Sequence, residues 1–394
     1  MLVLVNVLLL VVALGLAVPI AVFVVECCAA LLPMRIRRGE ELAARPSIAV
    51  LMPAHNEAAG IGATLETIVP QLAPNDRMVT VADNCSDETA EIARRSGATV
   101  LERLDDSNRG KGYAVNFGME FLAENPPDVV VMVDADCRVE PGAIETVACL
   151  AMETGRPVQA TYLMETPPQP SPKDSISALA FLVKNWVRPQ GLAQFGLPCL
   201  LTGTGMAFPW SVMRHVSFEG SNLVEDMQLG LDLAVAGYAP VFGLEARVIG
   251  VLPQQPEAAT QQRTRWEHGH LQTLKSQVPR LLQAAIAQKR GDLLALALDL
   301  CVPPLSLLVA LWGVATVGAV VAGFAGASWL TAAILGVQGL FLAIAIVSAW
   351  AKFGRDRIPL GTLLSAPLYI LWKIPVYFKF LVRPQQQWVR TERD

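Results

Sequence analysis

Val129-Val130-Val131-Met132-Val133-Asp134-Ala135-Asp136 is an apolar run that ends on two carboxylates, and its reading decides the fold. A short, unbroken apolar run bounded by polar residues is the pattern of a strand buried on both faces, as in a parallel sheet. Two earlier stretches repeat it. Ser47–Met52 is ended by Pro53, and Arg77–Ala82 is ended by Asp83. Helical stretches separate them over Ala59–Val69, Asp87–Ser96 (acidic in its first turn) and Gly112–Ala123. Strand alternating with helix predicts an α/β layered domain. Ligands of such sheets bind beyond the carboxyl ends of the strands. Attention therefore falls on Asn56, Glu57, Asp83, Asp87, Asp134 and Asp136. In extended backbone, alternate side chains point the same way, so Asp134 and Asp136 are expected to face one hard cation, Mg2+ or Mn2+.

This domain is expected over residues 45–290, between apolar ends. Of the 394 residues, 53% are hydrophobic and 17% charged, against about 25% charged in an ordinary soluble domain. Met1–Leu32 is almost wholly apolar and exceeds the roughly 20 residues that cross a bilayer. It has neither the positive start nor the cleavage site of a secretory signal, so residues 1–34 read as an anchor. Arg35, Arg37 and Arg38 then place the following domain in the cytoplasm, at a cell (plasma) membrane. Two further apolar runs, 291–323 and 329–350, form a hairpin joined by Phe324–Ser328, and Lys352, Arg355 and Arg357 return the chain to the same side. Residues 359–382 contain Pro367, Lys373, Pro375 and Lys379 and read as an interfacial or transmembrane helix, with the interfacial reading favoured, followed by a short tail, 383–394. Glu26 and Asp299 lie in apolar stretches and are expected at the interface, although acids in such places are functional suspects.

The net charge of −4 carries no basic footprint, which excludes a nucleic-acid binder. The seven cysteines are scattered without a Cys-x-x-Cys pair, which argues against zinc and against a disulfide framework. His268 and His270, two apart in a helical stretch, do not share a face and are not read as metal ligands.

Several motifs share the polar ends of the domain. Arg109-Gly110-Lys111-Gly112 offers cations and mobile backbone suited to phosphate oxygens, and a cation between Asp134 and Asp136 would bridge a diphosphate. Leu201–Phe208 carries Gly203-Thr204-Gly205, where glycine allows close backbone approach. Val224-Glu225-Asp226-Met227 leads into a helix, and Gln262-Arg263-Thr264-Arg265-Trp266 joins a flat apolar face to a guanidinium fork.

Together these residues resemble inverting family 2 glycosyltransferases of the GT-A fold, within the membrane branch of cellulose, chitin-oligosaccharide and hyaluronan synthases and ceramide glucosyltransferases. The likeness covers roughly Ser47 to Gln272. It implies a nucleotide-sugar-binding domain with a mixed, mostly parallel sheet. It puts nucleotide binding on Pro53, Glu57, Asp83, Lys111 and Asp134, the metal on Asp134 and Asp136, and the catalytic base on Asp226. Gln262, Arg265, Trp266, Gly203, Thr204 and Glu225 would hold acceptor and diphosphate. His55 stands where the family more often has Tyr, and Val224 where it has Thr. The implied reaction moves a hexose or N-acetylhexosamine from a UDP-sugar to a glycan or lipid hydroxyl with a β-linkage, for surface polysaccharide or glycolipid synthesis. The partners implied are that donor, that acceptor, the bilayer, and further copies or an export complex. The rival reading is a catalytically inactive nucleotide-sugar-binding subunit of such a complex; the intact acidic set argues against it. A transporter is disfavoured by the large charged central domain.

Overall fold

The structure is a computed structural model that describes residues 2–34, 44–167, 170–213, 225–251 and 256–382. Arg35, Arg37, Arg38, Val224 and the tail 383–394 lie outside the described residues. The chain forms two compact units. Among the described residues, one comprises 44–167, 197–213, 225–251 and 256–269, and the other 2–34, 170–196 and 270–382.

The first unit is built on one sheet. Its strands are β1 (Ile48–Ala54), β2 (Arg77–Asp83), β3 (Thr99–Arg103), β4 (Val129–Met132), β5 (Cys137–Val139), β6 (Val158–Glu165), β7 (Met206–Pro209) and β8 (Val241–Val251). Their order is β3-β2-β1-β4-β7-β6-β8-β5. β3, β2, β1 and β4 are parallel; β7 runs against β4 and β6, β8 is parallel to β6, and β5 is antiparallel to β8. The half that was legible as apolar runs is thus the parallel half. Ala49 and Leu51, with Val79, Val81, Val130 and Met132, pack on one face with Ala114, Val115, Met119 and Leu122 of the helix Lys111–Ala123. The alternate residues Ile48, Val50 and Met52 are equally buried, so both faces are covered. Gly118 is where that helix meets the sheet: a Cβ there would lie 2.4 Å from Leu51 Cδ1.

The second unit holds three helices long and apolar enough to cross a membrane: Leu2–Ala30, Leu305–Phe324 and Leu330–Gly354. The apolar run expected over 291–323 is broken at Val302–Pro304 into Gly291–Cys301 and Leu305–Phe324, because a proline pair cannot continue a helix. Several polar groups on and beside the long helices find partners within the unit. Gln338 Nε2 donates to Ala13 O at 2.9 Å, Trp312 Nε1 to Leu335 O at 2.8 Å, and Ser328 N to Asn6 Oδ1 at 3.0 Å. The C-terminal helix, Ala366–Val382, has 17 residues with Pro375 inside.

Residues 170–194 are also part of this unit, although they lie in sequence between β6 and β7. The helix Pro172–Leu182 continues through a π-turn (Val183–Val187) into Arg188–Gln194. Gly191 lets that segment touch the N-terminal helix: a Cβ there would fall 2.0 Å from Glu26 O. Beside it, Arg188 Nε donates to Glu26 Oε2 at 2.6 Å, and Arg188 Nη2 to the Asp299 carboxylate and, at 2.8 Å, to the Asp299 carbonyl. The exposures of Glu26, Arg188 and Asp299 are 3%, 6% and 5%, so the two acids are not simply interfacial, as expected, but are the buried partners of one guanidinium.

His270 is buried in the same unit. Its Nε2 lies 3.2 Å from Val302 O, so Nε2 carries the proton, and Nδ1 is buried with no hydrogen-bond partner among the described residues. Burial, with Lys184 and Arg188 nearby, pushes its pKa down to about 3. The folded state therefore refuses a proton that the unfolded chain accepts below about pH 6.5. Stability from this group is complete above that pH and declines as pH falls towards 3, by about 1.4 kcal/mol per pH unit. Between pH 7.5 and 5, wild type is expected to lose about 2 kcal/mol more than His270→Gln, read as thermal midpoints in detergent across pH. Parallel pH profiles for the two proteins would overturn this.

Candidate active site

Register places three strand ends side by side. Pro53 and Ala54 pair with Val81 and Ala82, and Leu51 pairs with Met132. The segments after them, His55–Ala58, Asp83–Thr89 and Val133–Asp136, leave the sheet along one edge. The first two are knitted together. His55 Nδ1 lies 2.6 Å from Asp83 O, Asn56 Oδ1 accepts from Ser86 N at 2.7 Å, and Glu57 N donates to Thr89 Oγ1 at 2.8 Å. Asn56 and Asn84 both adopt positive φ (53° and 51°), a conformation asparagine tolerates well. Asp87 secures the turn. Burial raises its pKa, but hydrogen bonds from the Thr89 hydroxyl and N–H and from Ala58 N–H outweigh that, and the carboxyl sits below its ordinary range. Pro53, Glu57 and Asp83 thus share one polar edge.

Asp83 is only 6% exposed. Arg103 Nη1 and Asn84 Nδ2 both donate to its Oδ1, at 2.6 and 3.1 Å, which leaves Oδ2 as the oxygen oriented for another donor. Arg103 is itself fixed by Asp105 Oδ2 at 2.9 Å and lies over the Tyr113 ring at 5.6 Å. Neither Arg103 nor Tyr113 stood out in the sequence.

Asp134 and Asp136 converge, but not by strand alternation. β4 stops at Met132, and Ala135–Asp136 form the turn that reverses the chain into β5. The turn gathers ligand atoms of Asp134, Asp136 and Cys137 within 4.8 Å of one another. It is braced from two sides: Thr64 Oγ1 donates to Ala135 O at 2.8 Å, and Asp134 N donates to Thr204 Oγ1 at 3.0 Å. Burial, and then the Asp134 charge, push the Cys137 thiol up to about 12. It is therefore a neutral S–H at physiological pH, which it directs at Asp136 Oδ1 (3.4 Å). The available donors are carboxylate oxygens, which fit a hard Mg2+ or Mn2+ ion and not a thiolate-loving metal.

The loop Leu201–Gly205 meets this turn. Gln159, 2% exposed on β6, accepts from Thr202 N at 2.8 Å and donates to Thr204 O at 2.9 Å, spanning the loop from below. Gly203 has φ +96°, and a Cβ there would lie 3.1 Å from Asp226 Oδ2. Asp226 stands in the first turn of the helix Glu225–Val235. Lys111 opens the helix Lys111–Ala123, and its Nζ binds the Asp134 carboxylate and, at 2.7 Å, Gly203 O. Asp134, Lys111, Gly203 and Asp226 thus form one continuous run of neighbours. Gln159 was invisible in the sequence because its partners are more than 40 residues away; the glycine pair at Gly203 and Gly205 was the only local signal.

Gln262, Arg265 and Trp266 are carried by the long helix Pro256–Gln288. Gln262 is 2% exposed and its Oε1 is buried with no hydrogen-bond partner among the described residues, while Arg265 and Trp266 are half-buried. The helix places all three on one segment. Glu225 heads its helix next to Asp226.

Comparison with known proteins follows the same outline. The family described as "Glycosyltransferase like family 2" matches residues 46–269. The chain is similar to the probable glycosyltransferase YdaM of Bacillus subtilis, 26% identical over 249 residues, covering 59% of this chain and 57% of that protein. It is similar over a shorter stretch to 4,4'-diaponeurosporenoate glycosyltransferase of Staphylococcus aureus, 36% identical over 104 residues, 25% of this chain and 27% of that one. The matches therefore span less than two thirds of either relative. Among solved structures, the mannosyltransferase PcManGT of Pyrobaculum calidifontis, in complex with GDP-Man and Mn2+, aligns with a TM-score of 0.55 at 18% identity, over 95% of this chain and 100% of that chain, a likeness of fold.

Proposed function

Because the chain belongs to glycosyltransferase-like family 2, we propose that it is an inverting, metal-dependent enzyme that moves a sugar from a UDP-sugar to a hydroxyl of a lipid or glycan acceptor. The observation that carries this reading is the run Asp134–Lys111–Gly203–Asp226, which sets a cation-binding turn and a second carboxylate against one glycine loop. A hexose or N-acetylhexosamine is the transferred group. The three long apolar helices support a multi-pass membrane protein and favour an acceptor met at the membrane, with the sheet domain on the cytoplasmic side.

Each residue has a task. Asp83 Oδ2 accepts a hydrogen bond from the base, with Arg103 fixing the carboxylate. Asp134 and Asp136 hold the divalent ion, which when bound supplies charge neutralisation on the departing diphosphate. Asp226 takes the proton from the acceptor hydroxyl as that oxygen attacks the anomeric carbon. The hydroxyl oxygen forms the new bond and the diphosphate leaves with the electron pair of the old one. One displacement inverts the centre, so an α-linked donor gives a β-linked product, without the enzyme-bound intermediate of a double displacement. Gln262, Arg265 and Trp266 line the acceptor and diphosphate side, where Arg265 offers a fork to phosphate oxygens.

Incubating membranes that contain the protein with radiolabelled UDP-glucose, UDP-N-acetylglucosamine, UDP-galactose or GDP-mannose tests the reading. One UDP-sugar is expected to label a lipid-extractable or polymeric product, and EDTA to reduce labelling by about a hundredfold or more. Labelling from no UDP-sugar, or labelling indifferent to EDTA, would sink it. The inactive-subunit reading predicts donor binding without labelled product, and product length separates single addition from polymer synthesis.

A further inference from the structure

The ammonium of Lys111 sits where two loops of the candidate active site come together. Its Nζ donates to Asp134 Oδ1 and, at 2.7 Å, to the Gly203 carbonyl. Both side chains are about 30% exposed (28% for Lys111, 31% for Asp134), so the pair is reachable by a ligand. The lysine is held at this spot by its backbone. Gly110, with φ +136°, turns the chain sharply into the helix that Lys111 begins. Asp134 is fixed from the other side by its own N–H to Thr204 Oγ1.

An ammonium is a compact point charge with three donors, and here it takes an oxygen that belongs to the cluster of Asp134, Asp136 and Cys137. A divalent ion bound to the same carboxylates would face that positive charge at close range. Two cations cannot share one carboxylate oxygen without strong repulsion. The second acceptor of the ammonium gives the displacement a consequence. Gly203 O belongs to the residue whose Cα faces Asp226 Oδ2, so the lysine ties the cation turn to the loop beside the proposed base.

We propose that Lys111 is a resident cation that holds Asp134 and the Gly203 loop together until a divalent ion displaces it, so that metal arrival and the setting of the loop beside Asp226 are one event. Lys111 is in this respect a positioning residue. The inference rests on the reading of Asp134 and Asp136 as the divalent-ion site. It predicts that the metal precedes the acceptor, because the loop is unlatched only once the lysine has moved.

The test measures Mn2+ binding to the full-length protein in detergent, by loss of the free-ion electron paramagnetic resonance signal, with and without UDP. Without UDP, Lys111→Met and Lys111→Gln are expected to bind Mn2+ about tenfold more tightly than wild type, because a competing positive charge is gone. Lys111→Arg keeps the charge and is expected to stay within about threefold of wild type. A lysine that merely supports the fold, or only contacts phosphate, would give unchanged or weaker Mn2+ binding in the neutral variants. That result, with Mn2+ and UDP still binding to wild type, overturns the latch and leaves the transferase reading standing. Absence of Mn2+ binding to wild type with and without UDP removes the metal reading and the latch with it.

A second measurement needs no variant. Lys111 in wild type is acetylated with a water-soluble active ester and followed by mass spectrometry. Mn2+ alone is expected to raise its rate, since an amine parted from the Asp134 carboxylate and the Gly203 carbonyl is open to the reagent. An unchanged or lowered rate on adding Mn2+ counts against displacement.

Discussion

Asp226→Asn is expected to lower the turnover number for sugar transfer by about a thousandfold, the middle of the range for loss of a general base, while donor binding stays within about threefold. The substitution keeps the size and planarity of the side chain and removes its negative charge, and with it the capacity to take a proton. Asp226 lies at the start of the helix Glu225–Val235 with Oδ2 against Gly203, so the asparagine has the same space to occupy. The nucleotide side of the site, around Asp83 and Arg103, is built from other strands and does not include Asp226. Binding and chemistry should therefore separate. Isothermal titration with UDP, beside initial rates with the labelled donor, reads the two quantities independently. Transfer near the wild-type rate would remove Asp226 from its role; equal loss of UDP affinity would make it a ligand of the donor instead.

Arg188→Met should be the most damaging single change outside the candidate site. It strands Glu26 and Asp299 without their shared cation, and also removes one of the two donors to the Asp299 carbonyl, the other being Val302 N. Breaking a buried ion pair from one side costs about 3–5 kcal/mol, because a buried charge is left unpaired. At roughly 2–4 °C per kcal/mol for a domain of this size, the thermal midpoint in detergent should fall by about 10 °C. The informative control replaces all three groups. Glu26→Met, Arg188→Met and Asp299→Leu together remove every charge while keeping much of the volume, and should recover most of the loss. Recovery would be incomplete by about 1 kcal/mol, since the Asp299 carbonyl keeps its Val302 N–H donor but loses the charge-assisted bond from the guanidinium. A triple variant as unstable as the single one would mean that shape, and not charge pairing, dominates at this place.

The parts of the molecule that could be read from sequence are those with local repetition. Apolar runs ended by Pro53, Asp83 and Asp134 gave the parallel strands and their polar ends, because a strand covered on both faces has to be apolar throughout. The mixed half, β5 to β8, was not legible as a pattern, since its strands depend on pairing partners far along the chain, as β5 and β6 do on β8. The cation turn was found for a partly wrong reason. Asp134 and Asp136 do converge, yet through a reversal of the chain and not through the pleat. Gln159, Thr204 and Arg103 act through a few individual hydrogen bonds, mostly to distant residues, which leave no periodicity. Glu26 and Asp299 were visible as misplaced acids, but Arg188, in an ordinary polar stretch, gave no sign that it was their common partner.

The excursion of residues 170–194 into the apolar unit has a consequence for how the protein is made. As the chain leaves the ribosome, Arg188 emerges when Glu26 is already available, but Asp299 is still unsynthesised, 111 residues behind. The last two strands of the sheet, β7 and β8, are translated in that interval. The guanidinium therefore waits with one acid while the sheet closes, and the second acid arrives only with the last apolar helices. Completion of the membrane-associated half is thereby timed to follow completion of the sheet, and a ribosome halted before Asp299 would leave a finished sheet tethered to an unfinished anchor.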